Sequence, residues 1–163
     1  MTGDQPKGGM PVRDDYFVST SAELVDLEFV CAALAGSYWA QQRPRAVVEA
    51  SLKGSLSFGL YERPGGGQVG FARVVTDGAT FSWLCDVIID PGHRGKGLGK
   101  FLMASVLADE RIKGTTFLLG TRDAHGLYER FGFVRWEMMR RPLPGTHGPH
   151  PSPPTPPAAP GAD

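Results

Sequence analysis

The sequence contains little cysteine and no surplus of charge. Its two cysteines, Cys31 and Cys85, stand in apolar contexts and lack the C-x-x-C spacing of redox and metal-binding motifs. The 17 basic residues equal the 17 acidic ones, whereas proteins that bind nucleic acid or a membrane surface carry a basic footprint. These absences argue against a disulfide, a metal site, and a nucleic-acid or membrane partner.

Long apolar runs are also absent. No segment has the length of a membrane span, and the first residues lack the apolar run of a secretion signal. Two buried thiols in a cytoplasmic protein are therefore the simplest interpretation of the cysteines. The length of 163 residues favours a single folded domain.

Composition divides the chain into three parts. Residues 1–14 contain glycine and proline without hydrophobic periodicity, which indicates a flexible leader. Residues 144–163 are dominated by Pro, Gly, Ala, Ser and Thr, and such a tail buries too little apolar surface to offset its ordering entropy. We therefore expect a folded domain over residues 15–143, followed by a disordered Pro-rich tail.

Hydrophobic spacing predicts a mixed order of strands and helices. The first helix is expected to be capped by a residue in the Ser-Thr-Ser run at 19–21 and to end at Gly36, and a second to run from Pro44 to Gly54. The predicted strands are 16–18, 56–60, 69–75, 80–90, 115–119 and 133–139, and the later helices are 97–109 and 121–130.

The most informative stretch joins an apolar run to a glycine-rich turn. Residues 87–89 predict a buried strand, which Pro91 ends. Apolar residues from Leu98 onward recur at helical spacing, so a helix begins near Gly97. A strand, a glycine-rich turn and a helix N-terminus together favour a phosphate site, because first-turn N–H groups and the helix dipole attract anions.

The spacing of this turn selects among phosphate-binding motifs. A Walker loop requires Ser or Thr after Gly-Lys, but Phe101 follows Lys100, and the G-x-G-x-x-G dinucleotide pattern fails because position 100 is not glycine. The sequence Arg94-x-x-Gly97-x-Gly99 instead resembles the R/Q-x-x-G-x-G/A loop, which binds pyrophosphate in the GNAT N-acetyltransferase superfamily.

A second stretch supports this resemblance. Residues 124–133 are similar to the family's A-x-x-L-Y-x-x-x-G-F signature, and they follow the glycine-rich turn in the expected order. The resemblance covers about residues 15–140. It implies an α+β GNAT-like fold, in which helices flank a mixed central sheet with an antiparallel meander followed by parallel strands splayed around the CoA site.

The resemblance also implies a co-substrate, acetyl-CoA. Its pantetheine arm is expected to lie between the strand ending at Ile89 and the strand ending at Leu119, and Thr121 stands where many relatives have asparagine. No metal is implied. The cofactor-binding residues implied are Val87, Ile88, Ile89, Arg94, Gly95, Lys96, Gly97, Leu98, Gly99, Thr121 and Tyr128.

Two candidate catalytic residues follow from the same resemblance. Tyr128 matches the motif tyrosine, and its phenol is the expected general acid for the leaving thiolate; the alternative is a core tyrosine with a satisfied hydroxyl. Asp86 lies in the apolar strand beside the expected cleft, so it is a candidate general base or else a substrate-binding or structural carboxylate. Glu49, Asp123 and His125 are rival bases.

The acceptor site is expected near the end of the first helix. Tyr38 and Trp39, with Arg43, follow that helix; Arg73 lies on the strand beside the central one; and His125 shares a helical face with Tyr128. Aromatic and arginine side chains suit a small amine that bears a carboxylate or a planar group, although ordinary packing explains them equally well.

Together these features predict an acyl-CoA-dependent N-acyltransferase that moves acetyl to a primary amine by direct attack in a ternary complex. The alternatives are a non-catalytic CoA-binding regulatory or interaction module and a nucleotide-phosphate binder of another fold. Homodimers are common in the family, so a homodimer is an alternative to the monomer.

Overall fold

The computed structural model describes residues 13–142. Most of the predicted leader and the whole predicted tail lie outside these residues. The chain divides into two units, Met1–Phe133 and Val134–Asp163, and the described part of the second, residues 134–142, has no regular secondary structure. Within the described range, no helix has both the length and the apolar character needed to cross a membrane.

The described part of the first unit contains five strands and four α-helices. In chain order they are β1 (Tyr16–Ser19), α1 (Leu27–Ala35), α2 (Arg45–Lys53), β2 (Leu56–Glu62), β3 (Gln68–Thr76), β4 (Phe81–Ile89), α3 (Leu98–Leu107), β5 (Thr116–Leu118) and α4 (His125–Glu129).

The strands form one sheet in the order β1-β2-β3-β4-β5. The first four pair antiparallel. Short turns join β2 to β3 and β3 to β4 as a meander, whereas α1 and α2 lie between β1 and β2. β4 and β5 pair parallel, since α3 carries the chain back between them. This mixed sheet confirms the predicted fold class.

Helices cover both faces of the sheet. On the face covered by α3 and α4 (the α3/α4 face), the apolar side of α3 packs against β2, β3 and β4; its buried residues are Leu98, Phe101, Leu102, Met103 and Val106. On the opposite face, covered by α1 and α2 (the α1/α2 face), Val30, Leu34 and Val48 pack against Phe71 and Ile88. The central strands are therefore buried on both sides.

Two predictions about secondary structure are wrong, one about the start of α1 and one about a strand after α4. Ser21 forms no side-chain cap; instead Asp26 caps α1, since its carboxylate accepts the Phe29 N–H at 3.0 Å. A carboxylate at the helix N-terminus also interacts favourably with the dipole. The strand expected over 133–139 does not form, because a strand needs a hydrogen-bonded partner and no ladder includes these residues in the range 13–142.

The other helix boundaries follow local chemistry. α2 lies between Pro44 and Gly54 as predicted. α4 begins later than predicted, at His125, because the Thr121 hydroxyl accepts the Ala124 N–H at 3.0 Å and holds the chain in a turn before the helix.

Candidate active site

A bulge in β4 sets the position of Asp86. The β3–β4 register shifts between Phe71 and Arg73, so that one residue of β3 lies opposite both Asp86 and Val87. Asp86 has a φ of 52° and is the one non-glycine residue with positive φ in the range 13–142. Aspartate tolerates this left-handed region better than most side chains. The bulge therefore turns the Asp86 side chain without requiring glycine.

The end of β4 has no β5 partner. Parallel pairing joins residues 81–83 of β4 to residues 116–118 of β5, and β4 then continues to Ile89. The Asp90 N–H donates to the Val69 carbonyl of β3 at 2.8 Å, so the Ile89 carbonyl in the same peptide group points away from β3. Ile88 instead directs its carbonyl towards β3, where a Cβ on Gly70 would approach it to 3.1 Å. Ile89 thus offers backbone groups to the opening beside β4.

A cavity of about 210 Å³ lies where β4 leads into α3. Of residues 94–99, which were predicted to bind the cofactor, all except Lys96 line it. Lys100, His93 and Leu127 also line it and were not predicted, although Lys100 follows the motif directly. The full lining is Ile89, His93, Arg94, Gly95, Gly97, Leu98, Gly99, Lys100 and Leu127.

Two glycines give the turn its shape and a third leaves space. Gly95 and Gly97 have φ values of 78° and 74°, which other residues adopt at a cost. A Cβ on Gly99 would lie 3.8 Å from Leu127 Cδ2 and 4.0 Å from Ile89 Cγ1. Both neighbours line the cavity, so a side chain at Gly99 would enter it. The free first-turn N–H groups of α3, with Arg94 and Lys100, make this cavity suitable for an anion.

Hydrogen bonds fix the turn on both sides. Arg94 Nε donates to the Ile89 carbonyl at 3.3 Å. Asp90 accepts from the Gly92 N–H at 3.0 Å and lies 2.8 Å from His93 Nδ1, and the hydrogen bond with His93 lowers the pKa of the Asp90 carboxyl.

Arg13, which sequence analysis assigned to the flexible leader, also contacts the turn. Its Nη1 donates to the Lys96 carbonyl at 2.9 Å. No motif includes Arg13, so nothing in the sequence indicated this contact, which spans 83 positions.

Asp86 gathers three side chains from separate segments. Its Oδ2 accepts from Arg43 Nη1 and from Arg73 Nε, each at 2.9 Å, and its Oδ1 accepts from Trp39 Nε1 at 3.2 Å. Only 3% of the Asp86 side chain is exposed. The carboxylate thus brings together three of the residues expected near the acceptor site, Trp39, Arg43 and Arg73, and joins the segment after α1 to the sheet.

Tyr38 reaches from the same segment to the turn before α4. Its hydroxyl accepts the Arg122 N–H at 2.9 Å, and the Arg122 guanidinium carbon lies 3.9 Å from the centre of the Tyr38 ring. The Tyr38 and Trp39 rings meet edge to face at 4.9 Å. Sequence analysis did not single out Arg122, because a positively charged residue in a turn carries no signal by itself.

Tyr128 is buried on α4. Burial, together with the nearby Tyr38 and Asp123, raises the pKa of its phenol to about 12. Its hydroxyl forms no hydrogen bond with residues 13–142, and this range contains no buried side-chain oxygen without a partner. The hydroxyl oxygen is therefore not fully buried, and it keeps its proton at neutral pH.

The rival bases have different surroundings. Glu49 lies on the exposed side of α2 and accepts from Arg45 Nε at 3.1 Å. His125 is the first residue of α4 and is partly buried, and Asp123 is exposed in the turn before it. Neither His125 nor Asp123 takes part in an ion pair between residues of the described range.

Comparison with known proteins gives one consistent family. The profile of the Acetyltransferase (GNAT) domain matches residues 54–135, about half of the chain. A crystal structure of a GNAT-family protein from Xanthomonas campestris pv. campestris aligns with a TM-score of 0.75 and 41% identity, over 85% of this chain and 98% of that one. A Gibberella zeae protein, provisionally named an acetyltransferase, is 35% identical over 120 residues, which are 63% of this chain and 67% of that protein.

A more distant structure shares the fold. The GNAT family acetyltransferase of Elizabethkingia anophelis, solved with acetyl-CoA bound, aligns with a TM-score of 0.59 and 12% identity over 77% of this chain and 80% of that one. Because the sheet, the glycine-rich turn and the family profile agree over the same residues, this chain belongs to the GNAT acetyltransferase family.

Proposed function

We propose that this protein transfers an acetyl group from acetyl-CoA to a primary amine, by direct attack of the amine in a ternary complex. One observation carries the proposal. The anion cavity is lined both by the glycine-rich turn and by Leu127, the neighbour of Tyr128. A ligand whose phosphates occupy the turn is therefore held beside the helix that presents a protonated phenol.

The cavity fits the diphosphate of coenzyme A. Its wall offers the first-turn N–H groups of α3 and two cations, Arg94 and Lys100. The absence of a side chain at Gly99 lets a phosphate approach the backbone. The Ile89 N–H points away from β3 beyond the end of the β4–β5 ladder, so it can pair with the amide groups of a pantetheine arm, as a neighbouring strand would. The Thr121 oxygen accepts a hydrogen bond from the Ala124 N–H. Its hydroxyl proton can therefore be donated to a ligand at the same time.

Tyr128 is proposed as the general acid. Acetyl-CoA supplies a thioester, an activated acyl group whose transfer releases a thiolate. The Tyr128 hydroxyl holds a proton at neutral pH because burial raises its pKa to about 12. This hydroxyl can donate a hydrogen bond to the departing sulfur and stabilise its developing negative charge as the C–S bond breaks. Because the thiol has a lower pKa than the phenol, the proton is only partly transferred at that point, and the thiolate completes its protonation from solvent.

Asp86 is proposed to position acceptor-site residues rather than to accept a proton. Both its oxygens already accept hydrogen bonds, two of these bonds coming from guanidinium groups, and only 3% of its side chain is exposed, so an amine has little access to it. Glu49 is paired with Arg45. Asp123 and His125 therefore remain as candidate bases, acting on the amine directly or through water.

The test is an assay of thiol release from acetyl-CoA with a panel of amines, beside a heat-killed control. Tyr128→Phe should lower kcat by about ten-fold or more, with the Kd for CoA little changed. Tyr61→Phe is the matched control, because burial also raises the pKa of Tyr61 to about 12, but its hydroxyl donates to the Leu24 carbonyl.

Two outcomes would contradict the proposal in different ways. Undiminished turnover by Tyr128→Phe would remove the phenol from the mechanism. Tight CoA binding without turnover of any amine would favour a non-catalytic CoA-binding module.

A further inference from the structure

The residues around Asp86 carry more positive than negative charge. Arg43 and Arg73 share one carboxylate, that of Asp86. Arg122 lies close by against Tyr38, and it makes no ion pair with residues 13–142. Two cations thus share one buried anion, and a third is linked to them through the Tyr38 and Trp39 rings. Asp123 and Arg122 are both exposed, so water screens these two charges more than those of the ion pairs at Asp86.

The guanidinium groups retain unused donors. Each has five N–H donors, and Arg43 and Arg73 each give one to Asp86. No buried side-chain nitrogen in the described range lacks a partner. The remaining donors therefore lie where solvent or a ligand can reach them, although the Arg43 and Arg73 side chains are only 23% and 12% exposed.

Asp86 holds the two arginines side by side. Both donate to the same oxygen, Oδ2, which places their planar groups next to each other. Positive φ at Asp86 gives this arrangement a conformational cost. Each planar guanidinium group is a fork whose paired N–H donors match the geometry of a carboxylate, and the donors that Asp86 does not use are left for a second carboxylate.

Aromatic side chains border these cations. Tyr38 and Trp39 are 38% and 44% exposed, which is high for large rings, and they contact Arg122 and Asp86 respectively. The Tyr38 hydroxyl accepts the Arg122 N–H at 2.9 Å, in the turn that leads into the helix of Tyr128. The cationic group and its aromatic border therefore lie beside the proposed general acid, where an acceptor must bind.

From this placement we infer that the acceptor is an amine that carries a carboxylate, such as an amino acid. Its carboxylate binds to the free donors of Arg43, Arg73 and Arg122, and its carbon skeleton packs against Tyr38 and Trp39. Polyamines and other polycations are excluded by repulsion from the same arginines. The inference rests on the proposed function, because it identifies the acceptor of that reaction.

The experiment compares acceptors that differ only in the carboxylate. Amino acids with small, aliphatic and aromatic side chains are assayed beside their amides, each pair at equal concentrations of deprotonated amine. A carboxylate held by charge-assisted hydrogen bonds should raise kcat/KM by about ten-fold or more over the amide. Arg122→Gln should reduce this ratio, whereas Lys53→Gln, which removes an exposed positive charge at the end of α2, should preserve it.

A binding measurement separates this inference from the proposed function. Calorimetry with CoA-saturated protein measures the Kd of each amino acid and each amide without turnover. Binding that depends on the carboxylate and on Arg122, with no turnover of any amine, would reject acetyl transfer and retain the ligand class. Equal or better turnover of amides would overturn the inference while acetyl transfer stands. Failure of the amino acids both to bind and to react would also overturn it.

Discussion

Substituting Gly99 by alanine should have opposite effects on folding and on CoA binding. Gly99 is the second residue of α3, and its φ does not lie in the left-handed region. A Cβ there would meet Leu127 and Ile89 at 3.8 and 4.0 Å, which are ordinary contacts. The free protein therefore accommodates alanine, while the new methyl group enters the cavity proposed to hold the diphosphate.

The magnitudes follow from these two environments. Replacing glycine by alanine within a helix stabilises a protein by about 0.5–1 kcal/mol. Loss of one charge-assisted hydrogen bond between a backbone N–H and a phosphate costs about 1.5–3 kcal/mol, which raises the Kd for CoA about ten- to hundred-fold. At a CoA concentration about 100 times the wild-type Kd, ligand stabilisation would fall from about 2.7 kcal/mol towards about 0.4 kcal/mol for the weakest case.

Urea denaturation with and without CoA measures both effects in one series, and calorimetry gives the Kd directly. The variant should unfold at equal or higher urea concentration than wild type without CoA and at lower concentration with CoA. Gly54→Ala is the control. Gly54 lies at the end of α2, and a Cβ at this position would meet no atom within 4 Å. Wild-type affinity for CoA in Gly99→Ala would refute the placement of the phosphate, and unfolding of the variant would refute the claim that the free protein has room.

Two further predictions concern buried polar groups. Asp86→Asn should lower the free energy of unfolding by about 3 kcal/mol, because it leaves the guanidinium groups of Arg43 and Arg73 without their anion. Asparagine tolerates positive φ, so the backbone adds little to this loss. An unchanged urea midpoint would contradict the prediction. In an alkaline titration followed by tyrosine absorbance, Tyr61 and Tyr128 should ionise only near pH 12, because burial raises both pKa values from 10.0 to about 12. The folded state retains those two protons over this interval while the unfolded state loses them, so stability should fall as pH rises from 10 towards 12. Tyr128→Phe should remove one of the two late ionisations.

The residues that line the cavity at the start of α3 are largely those expected from the sequence, because the determinants of this turn are local. Gly95, Gly97 and Gly99, the end of an apolar strand and the start of a periodic helix lie within a few positions of one another, and each imposes a known backbone geometry. The bounds of α2 and the start of α3 near Gly97 are predictable for the same reason.

The acceptor side is less predictable because its contacts are long-range. Trp39 and Asp86 are separated by 47 positions, and Arg13 and Lys96 by 83. No spacing rule connects such residues, so aromatic and arginine side chains near the first helix fit packing as well as binding. The Asp26 cap was missed for a simpler reason: several capping residues precede α1, and the choice among them depends on how the chain packs.

The bulge in β4 explains why its strand pattern misleads. Burial alternates without interruption, since Ser82, Leu84, Asp86 and Ile88 are all buried, and a regular strand would direct all four to one face. Yet Leu84 packs in the α3/α4 core, whereas Ile88 packs in the α1/α2 core. The extra residue at the bulge reverses the alternation between them. Asp86 thereby avoids the apolar α3/α4 core and contacts Arg43 and Trp39 instead. Val87 and Ile89 pack on the α3/α4 face, where α3 and the cavity begin. One inserted residue thus allows a single strand to serve the proposed CoA side and the proposed acceptor side, and its effect cannot be seen in a hydrophobicity pattern that stays regular through it.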